Sequence, residues 1–206
     1  SFNPAATRIF GYGADEVILA TGSLPAETGF QRMRPADDSL TGVGLANVYS
    51  VEDVMTRTAQ LGPHVIVLDD TGDWRGLGTA MDIAARGHKV SLVTGWHMAG
   101  QFLGRTLSDI DSRARIKASG GQILTETVIT EWTATGAKLA SLLDGAETVL
   151  EADTLVLATT NIADTWVASE LDAMDAAPPR HLIGDAIAPR LAVAAIYEGR
   201  VLGQSL

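Results

Sequence analysis

The sequence predicts an α/β fold built around a parallel sheet, and three observations support this prediction. First, the chain of 206 residues is 46% hydrophobic but only 5% aromatic, which is typical of a globular protein whose strands are buried on both faces. Second, one stretch has the order of strand, glycine-containing loop, Ala-rich helix and strand that makes a βαβ unit. Third, short glycine turns follow two further apolar runs, one near each end of the chain.

The first sixty residues predict one strand, one long loop and one short helix. Residues 16–20 form an apolar run closed by a Thr-Gly turn, which is typical of a buried strand. Residues 23–49 carry several prolines and glycines and predict a loop. Ser50 is a suitable N-cap for a helix over residues 50–59, because Asp53 stands at the capping-box position.

The βαβ unit follows a predicted boundary at Gly62-Pro63. It comprises a strand over residues 65–68, a helix over 77–86 closed by Gly87, and a strand over 89–93.

A second helix is predicted over residues 107–119, ended by two glycines. Turn residues then separate three or four short strands, expected to form a β-meander or hairpins, around residues 123, 128–132, 138–143 and 148–150. The remaining predicted elements are strands at 154–158 and 181–183 and a final helix from about Pro189.

The loop after the strand at 65–68 has the position of a dinucleotide-binding turn but not its spacing. A G-x-G-x-x-G sequence lets the backbone approach a pyrophosphate, whereas the glycines here are Gly72, Gly76 and Gly78. The same loop contains three carboxylates where the anion would lie, at Asp69, Asp70 and Asp73.

Electrostatics then decides between a working and a vestigial site. One carboxylate about 5 Å from a phosphate costs about 3 kcal/mol at an effective dielectric constant near 20. A helix N-terminus returns about 0.3–1 kcal/mol, and about 2 kcal/mol in a favourable geometry. We therefore expect a vestigial nucleotide site, unless Arg75 compensates for the repulsion.

Two other glycine turns are candidate binding sites. Ala20-Thr21-Gly22 follows the first strand, and Gly184-Asp185-Ala186 follows the strand at 181–183. Strand–Gly turns are common, so neither turn is specific alone. Asp185 could also be a helix N-terminal residue favoured by the helix dipole, without any role in binding.

Composition excludes several other classes of function. The net charge of −10 makes nucleic acid and anionic membranes unfavourable partners. The sequence has no cysteine, hence no thiolate nucleophile, disulfide or cysteine-ligated cluster, which together with the lack of a membrane-spanning run leads us to expect a cytoplasmic protein. No histidine cluster with metal-ligand spacing and no G-x-S-x-G hydrolase sequence is present.

A family resemblance is carried by four segments: Tyr12–Gly22, the loop before Thr79-Ala80, Gly87–Val90 and Leu182–Arg190. In these segments the chain resembles the C-terminal half of the trimethylamine dehydrogenase family of old-yellow-enzyme-like NADH:flavin oxidoreductases. That family includes histamine dehydrogenase, related N-demethylases and 2,4-dienoyl-CoA reductase. The Asp-rich loop resembles the amine dehydrogenases rather than the reductase, whose glycine fingerprint is intact.

The resemblance implies a partial glutathione-reductase-like FAD/NAD(P)-binding fold. Residues 1–60 and 155–206 would belong to a larger FAD- or ADP-type domain, and residues 61–154 to an inserted, Rossmann-like NAD-type domain. The first turn would lie beside the ADP portion of the flavin, and Asp185 would accept hydrogen bonds from a ribitol hydroxyl. Candidate cofactor-binding residues are therefore Ala20, Thr21, Gly22, Gly184, Asp185, Ala186, Gly72 and Gly76.

The resemblance also implies a longer protein. The chain begins at Ser1 without methionine, and the first strand and Gly-rich loop of the larger domain would precede it. FMN and a 4Fe-4S cluster are expected only in an N-terminal barrel that oxidises the substrate. We expect FAD or ADP in the larger domain of the parent, none in this fragment alone, and no catalytic or metal-binding residue here.

Three functions remain open from the sequence. The first is the dinucleotide-fold region of an amine dehydrogenase or N-demethylase. The second is the corresponding region of an NAD(P)H-dependent enoate reductase. The third is a non-catalytic scaffold for assembly or for docking an electron-transfer partner. Expected partners are the barrel domain, an electron-transfer flavoprotein and, for the parent, further copies of itself.

Overall fold

A computed structural model of the chain describes residues 16–175 and 177–206, and it divides into two compact units. The central unit is Pro25–Thr160; the terminal unit comprises the described residues before Pro25 and after Thr160. The strands are β1 (Val17–Leu19), β2 (Ser23–Pro25), β3 (Val48–Ser50), β4 (His64–Asp69), β5 (Lys89–Val93), β6 (Gln122–Leu124), β7 (Thr127–Thr133), β8 (Gly136–Ser141), β9 (Glu147–Glu151), β10 (Thr154–Ala158), β11 (Asn161–Ala163) and β12 (Arg180–Leu182). The α-helices are α1 (Val51–Met55), α2 (Trp74–Ala85), α3 (Ser108–Ala118), α4 (Trp166–Asp172) and α5 (Ala192–Gly203), and short 3₁₀ helices cover Gln101–Thr106 and Gly184–Ala186.

The central unit is built on a five-stranded parallel sheet in the order β3-β10-β4-β5-β6. The two middle strands, β10 and β4, are buried almost throughout, as their uninterrupted apolar sequences predict. The chain runs outward from β4 to β5 and β6, and β10 then pairs with the other side of β4. Open α/β sheets bind ligands beyond the carboxyl ends of their strands where the strand order reverses in this way.

Helices pack on one face of the sheet and the β-meander packs on the other. Val65 and Val67 of β4 pack in one cluster with α1, α2 and α3. Ile66 and Leu68 face the opposite side and pack with the three-stranded antiparallel meander β7-β8-β9, around the buried ring of Trp132. The predicted α/β fold with a Rossmann-like unit and a β-meander is therefore confirmed.

Local signals in the sequence account for several element boundaries. Ser50 caps α1 with the predicted capping box, accepting the Asp53 N–H at 3.1 Å. The helix ends at Met55, before the predicted residue 59, and Arg57 then takes a left-handed conformation with φ 66°. Gly87, at φ 88°, closes α2 as predicted.

Other predictions in the central unit need correction. The strand around residue 123, grouped with the meander from its turns, is β6 and pairs in parallel with β5. Gly62-Pro63 leads into β4 and does not separate compact units, because β3 on one side and β4 on the other belong to the same sheet. The division into a larger domain and an insert over 61–154 stays a prediction, and the compact unit, Pro25–Thr160, is wider than that insert.

The terminal unit contains two small sheets and two helices. β1 and β12 pair in parallel, with Leu19 opposite Leu182, and β2 pairs with β11. Leu19 packs with Ala168 and Leu171 of α4, a helix that the sequence did not predict. The final helix begins at Ala192, three residues after the predicted start at Pro189. Residues 1–15, including the predicted Tyr12–Asp15 part of the family resemblance, lie outside the described residues.

Candidate functional site

The loop that follows β4 is held by the carboxylate of Asp69, the last residue of that strand. Asp69 is fully buried, and its Oδ1 accepts the N–H groups of Thr71 at 3.1 Å and Gly72 at 2.9 Å. The Thr71 hydroxyl donates to the same oxygen at 3.0 Å. In a dinucleotide-binding turn such N–H groups face a phosphate. Here an internal carboxylate already accepts these hydrogen bonds.

Gly76 lets this carboxylate approach the first turn of α2. A Cβ atom at residue 76 would lie 2.2 Å from the Cγ of Asp69. The Oδ2 of Asp69 is buried and has no hydrogen-bond partner among the described residues. Burial accordingly raises the pKa of this carboxyl from 3.8 to about 6. The predicted cofactor-binding glycine thus accommodates a side chain of the protein itself.

The second carboxylate of the loop, Asp73, caps α2. Its Oδ1 accepts the N–H of Arg75 at 2.8 Å and the hydroxyl of Thr71 at 2.9 Å. The guanidinium of Arg75 forms a bidentate pair with Glu52 of α1, at 2.7 and 3.2 Å. The charge of Arg75 is therefore directed to Glu52 and does not compensate for the negative charge of the loop. A working anion site would require that compensation.

The third carboxylate, Asp70, is covered by two side chains that are distant in the sequence. Arg32 donates to it from its backbone N–H and from Nε, both at 2.9 Å. The Arg32 guanidinium also lies 5.2 Å from the centre of the Trp96 ring. The indole N–H of Trp96 donates to the Asp70 carbonyl at 3.1 Å, and its Nε1 would be 3.1 Å from a Cβ at Gly72. The space in front of the loop is therefore filled by an aromatic ring.

A different cleft, in the terminal unit, brings together the two other predicted turns. It has a volume of about 390 Å³ and is lined in part by Ala20, Gly22, Gly184 and Asp185. Gly22 has φ 84°, and the space where its Cβ would point is open. The cleft therefore offers a backbone surface that a ligand can approach closely.

Two predicted residues of these turns do not line the cleft. The hydroxyl of Thr21 donates to the carbonyl of Asp164 at 2.5 Å. Ala186 is buried, with 1% of its surface exposed. Both residues hold the turns in place. Gly72 and Gly76 belong to the central unit and do not line this cleft either.

Asp185 is positioned by two donors and remains half-exposed. Its Oδ2 accepts the Ser23 hydroxyl and its Oδ1 the N–H of Arg190, both at 3.1 Å. A carboxylate has about four acceptor positions, so lone pairs remain for a hydroxyl of a ligand. The residues thus fit the sugar of a nucleotide, although the two observed bonds also give Asp185 a structural role.

Glu198 of α5 is a residue of this site that sequence reasoning missed. Its two carboxylate oxygens accept the N–H of Gly184 at 2.7 Å and the guanidinium of Arg190 at 2.5 Å. Gly184 is left-handed at φ 64°, so Glu198 fixes a turn that only glycine adopts readily. No signal in the sequence pairs residue 198 with residue 184, because the contact depends on where α5 begins.

The described residues offer few other chemical groups for catalysis. They contain no group of three or more His, Cys, Asp or Glu side chains that could hold a metal ion. Among the helices of residues 16–175 and 177–206, none has the length and apolar character needed to cross a bilayer.

In comparisons with known proteins, the chain is similar to parts of several oxidoreductases. No family model matches it. Cinnamate reductase from Clostridium sporogenes is 37% identical over 93 residues, which are 44% of this chain and 12% of that protein. The 6-hydroxypseudooxynicotine amine oxidase from Pseudomonas geniculata N1 is structurally similar, with a TM-score of 0.84 and 28% identity over 94% of this chain and 29% of the oxidase.

Two further structures confirm the fold. Histamine dehydrogenase from Rhizobium sp. 4-9 has a TM-score of 0.78 and 24% identity over 98% of this chain and 32% of the dehydrogenase. A flavoprotein disulfide reductase from Escherichia coli has a TM-score of 0.60 and 14% identity over 91% of this chain and 43% of the reductase. The glutathione-reductase-like fold and the resemblance to the amine dehydrogenase and enoate reductase family, both predicted from sequence motifs, are thus confirmed. The chain spans less than a third of the oxidase and dehydrogenase structures it matches.

Proposed function

We propose that this chain is the dinucleotide-fold region of a flavin-dependent amine dehydrogenase or N-demethylase, and that it does not carry the chemistry on the substrate. In this proposal the terminal-unit cleft contributes to an FAD or ADP site of the parent protein. The central unit keeps the architecture of an NAD-binding unit without accepting NADH or NADPH.

The observation that carries this proposal is the position of Asp69. Its carboxylate accepts the N–H groups of Thr71 and Gly72, which would otherwise be available to a pyrophosphate. Asp73 adds negative charge to the same loop, whereas the charge of Asp70 is paired with Arg32. A phosphate placed at this loop would find the backbone N–H groups already bonded to Asp69, and it would lie close to a negative charge. Both effects disfavour binding.

A region that accepts no NAD(P)H suits an enzyme whose electrons leave by another route. An electron-transfer flavoprotein that takes electrons from the parent is the acceptor we propose, with the N-terminal barrel of the parent holding FMN and a 4Fe-4S cluster. Two proteins whose structures are similar to this chain, an amine oxidase and histamine dehydrogenase, support the amine-oxidising type.

The enoate reductase alternative is favoured by one specific observation, the 37% identity to cinnamate reductase over 93 residues. It requires NAD(P)H to bind in a way that avoids the loop after β4.

A non-catalytic scaffold is the third alternative, and it requires that neither unit of the parent bind a nucleotide.

Asp185 provides the experiment that tests nucleotide binding in the parent. Asp185→Ala removes one charge-assisted hydrogen bond to a ligand hydroxyl, worth about 1.5–3 kcal/mol, or about ten- to a hundredfold in FAD or ADP affinity. Nucleotide titration and melting temperature are measured on the parent and the variant. Ser169→Ala, which removes an exposed hydroxyl that bonds within α4, serves as the control and should leave affinity unchanged. A variant at Asp185 that melts lower yet binds nucleotide as tightly as the parent would refute the ligand role.

A further inference from the structure

A second cleft lies in the central unit, and no residue of the loop after β4 lines it. It has a volume of about 500 Å³, within the range of small-molecule sites. It is formed by one side of α3, by the segment that follows β5, and by β6 with the residue after it. Among its lining residues are His97, Ile110, Arg113, Ala114, Lys117 and Ile123.

The wall that α3 contributes is a regular stripe of the helix. Ile110, Arg113, Ala114 and Lys117 are spaced at i, i+3, i+4 and i+7, so they lie on one face. The buried residues of α3 are on another face, and Ile110 is 57% exposed. This face therefore presents apolar carbon to the cleft, together with Ile123 of β6.

The charge of this wall is opposite to that of the chain. Among the lining residues, Arg113 and Lys117 are basic and none is acidic, whereas the whole chain has a net charge of −10. Lys117 forms no ion pair with any described residue. Arg113 is paired with the buried carboxylate of Asp109 at 2.6 Å through Nη2, and its Nη1 donates to no described acceptor. Cationic donors are thus available beside apolar carbon.

We propose that this cleft binds a small organic anion, with its apolar body against Ile110, Ala114 and Ile123 and its charged head at Lys117 and Arg113. A carboxylate or a phosphate monoester on an apolar body has the required chemistry. This site is separate from the proposed nucleotide site, so either proposal can fail without the other.

Calorimetric titration of the purified chain with octanoate, octan-1-ol, octyl phosphate and inorganic phosphate tests the proposal. Octanoate or octyl phosphate should bind, and the tighter of the two identifies the head group. Octan-1-ol and inorganic phosphate should each bind at least about threefold more weakly than the tighter of the two anions. Octan-1-ol lacks the charged head group, and inorganic phosphate lacks the apolar body. Equal binding of octan-1-ol, or no binding of either anion, would overturn the proposal.

Variants locate the site. Lys117→Gln should weaken binding of the anion by about two- to fivefold, since a partly exposed ion pair contributes modestly. Lys89→Gln is the matched control, because Lys89 is exposed, forms no ion pair with a described residue and begins β5, whereas the cleft is lined by the segment after the end of that strand. Ala114→Trp, at an exposed helix position, should fill the cleft and weaken binding at least tenfold. Unchanged affinity in either cleft variant, with folding verified by circular dichroism, would contradict the assignment.

Discussion

Replacing Asp69 by asparagine should change how the stability of the central unit depends on pH. The asparagine side chain keeps an oxygen that can accept the N–H groups of Thr71 and Gly72, but it has no charge to lose. The wild-type carboxyl is fully buried, and this burial raises its pKa from 3.8 to about 6. Burying the neutral carboxyl costs less than burying the carboxylate. The folded state is therefore most stable, as far as this group is concerned, at low pH, where the carboxyl is protonated in both the folded and the unfolded state.

The magnitude follows from this difference in pKa. A shift from 3.8 to about 6 corresponds to about 3 kcal/mol, of which about 2.4 kcal/mol is lost between pH 4 and pH 7. The loss occurs as the pH rises from the unfolded-state value through the folded-state value, and it is nearly complete above pH 7. The direction is opposite to that of a salt-bridged aspartate, whose stabilisation is lost as the pH falls.

Urea unfolding of the two proteins between pH 4 and pH 7 measures the effect. The unfolding free energy of Asp69→Asn minus that of the wild type should increase by about 2.4 kcal/mol over this range. Any constant difference between amide and carboxyl hydrogen bonding cancels in this comparison. Asp111→Asn is the control, since Asp111 is largely exposed. If the difference in unfolding free energy between Asp69→Asn and the wild type does not change with pH, Asp69 is not a buried carboxylate with a raised pKa.

Two other predictions concern the packing and the colour of the chain. Gly76→Ala should cost about 1–3 kcal/mol in urea unfolding, because its Cβ would meet the Asp69 carboxylate; the control Gly78→Ala should be neutral or stabilising, since only Trp74 lies near and alanine favours helix. Equal effects at the two glycines would show that Asp69 does not fill the space beside α2. The isolated chain should purify colourless, because it has no cysteine for a cluster and is expected to hold no flavin by itself. A flavin or iron–sulfur absorbance in the purified protein would contradict this expectation.

The fold was predictable where local signals and burial agree. The strands β4, β5 and β10 are apolar runs long enough to be recognised, and the capping box at Ser50 marks the start of α1. α4 was not predicted, because it is only seven residues long and its N-cap Thr165 makes no side-chain capping bond. The parallel pairing of β6 with β5 depends on tertiary contacts that a three-residue strand does not encode.

The candidate site was predictable only in part, for a physical reason. The crowding of carboxylates after β4 is visible in the sequence, and so is the mismatch of the glycines. The long-range contacts of this loop are not visible, because they come from three separate segments. Arg32 pairs with the Asp70 carboxylate, Glu52 pairs with Arg75, and Trp96 donates to the Asp70 carbonyl. Glu198 at the Gly184 turn was missed in the same way.

Titration of NADH and NADPH into the purified chain, followed by calorimetry, tests the central claim most directly. If Asp69 occupies the hydrogen-bonding position of a pyrophosphate and Asp73 repels it, neither nucleotide should bind with a Kd below about 1 mM, a free energy of about −4.1 kcal/mol. A Kd in the low micromolar range would correspond to about −8 kcal/mol. That result would contradict the vestigial site and support the NAD(P)H-dependent reductase alternative.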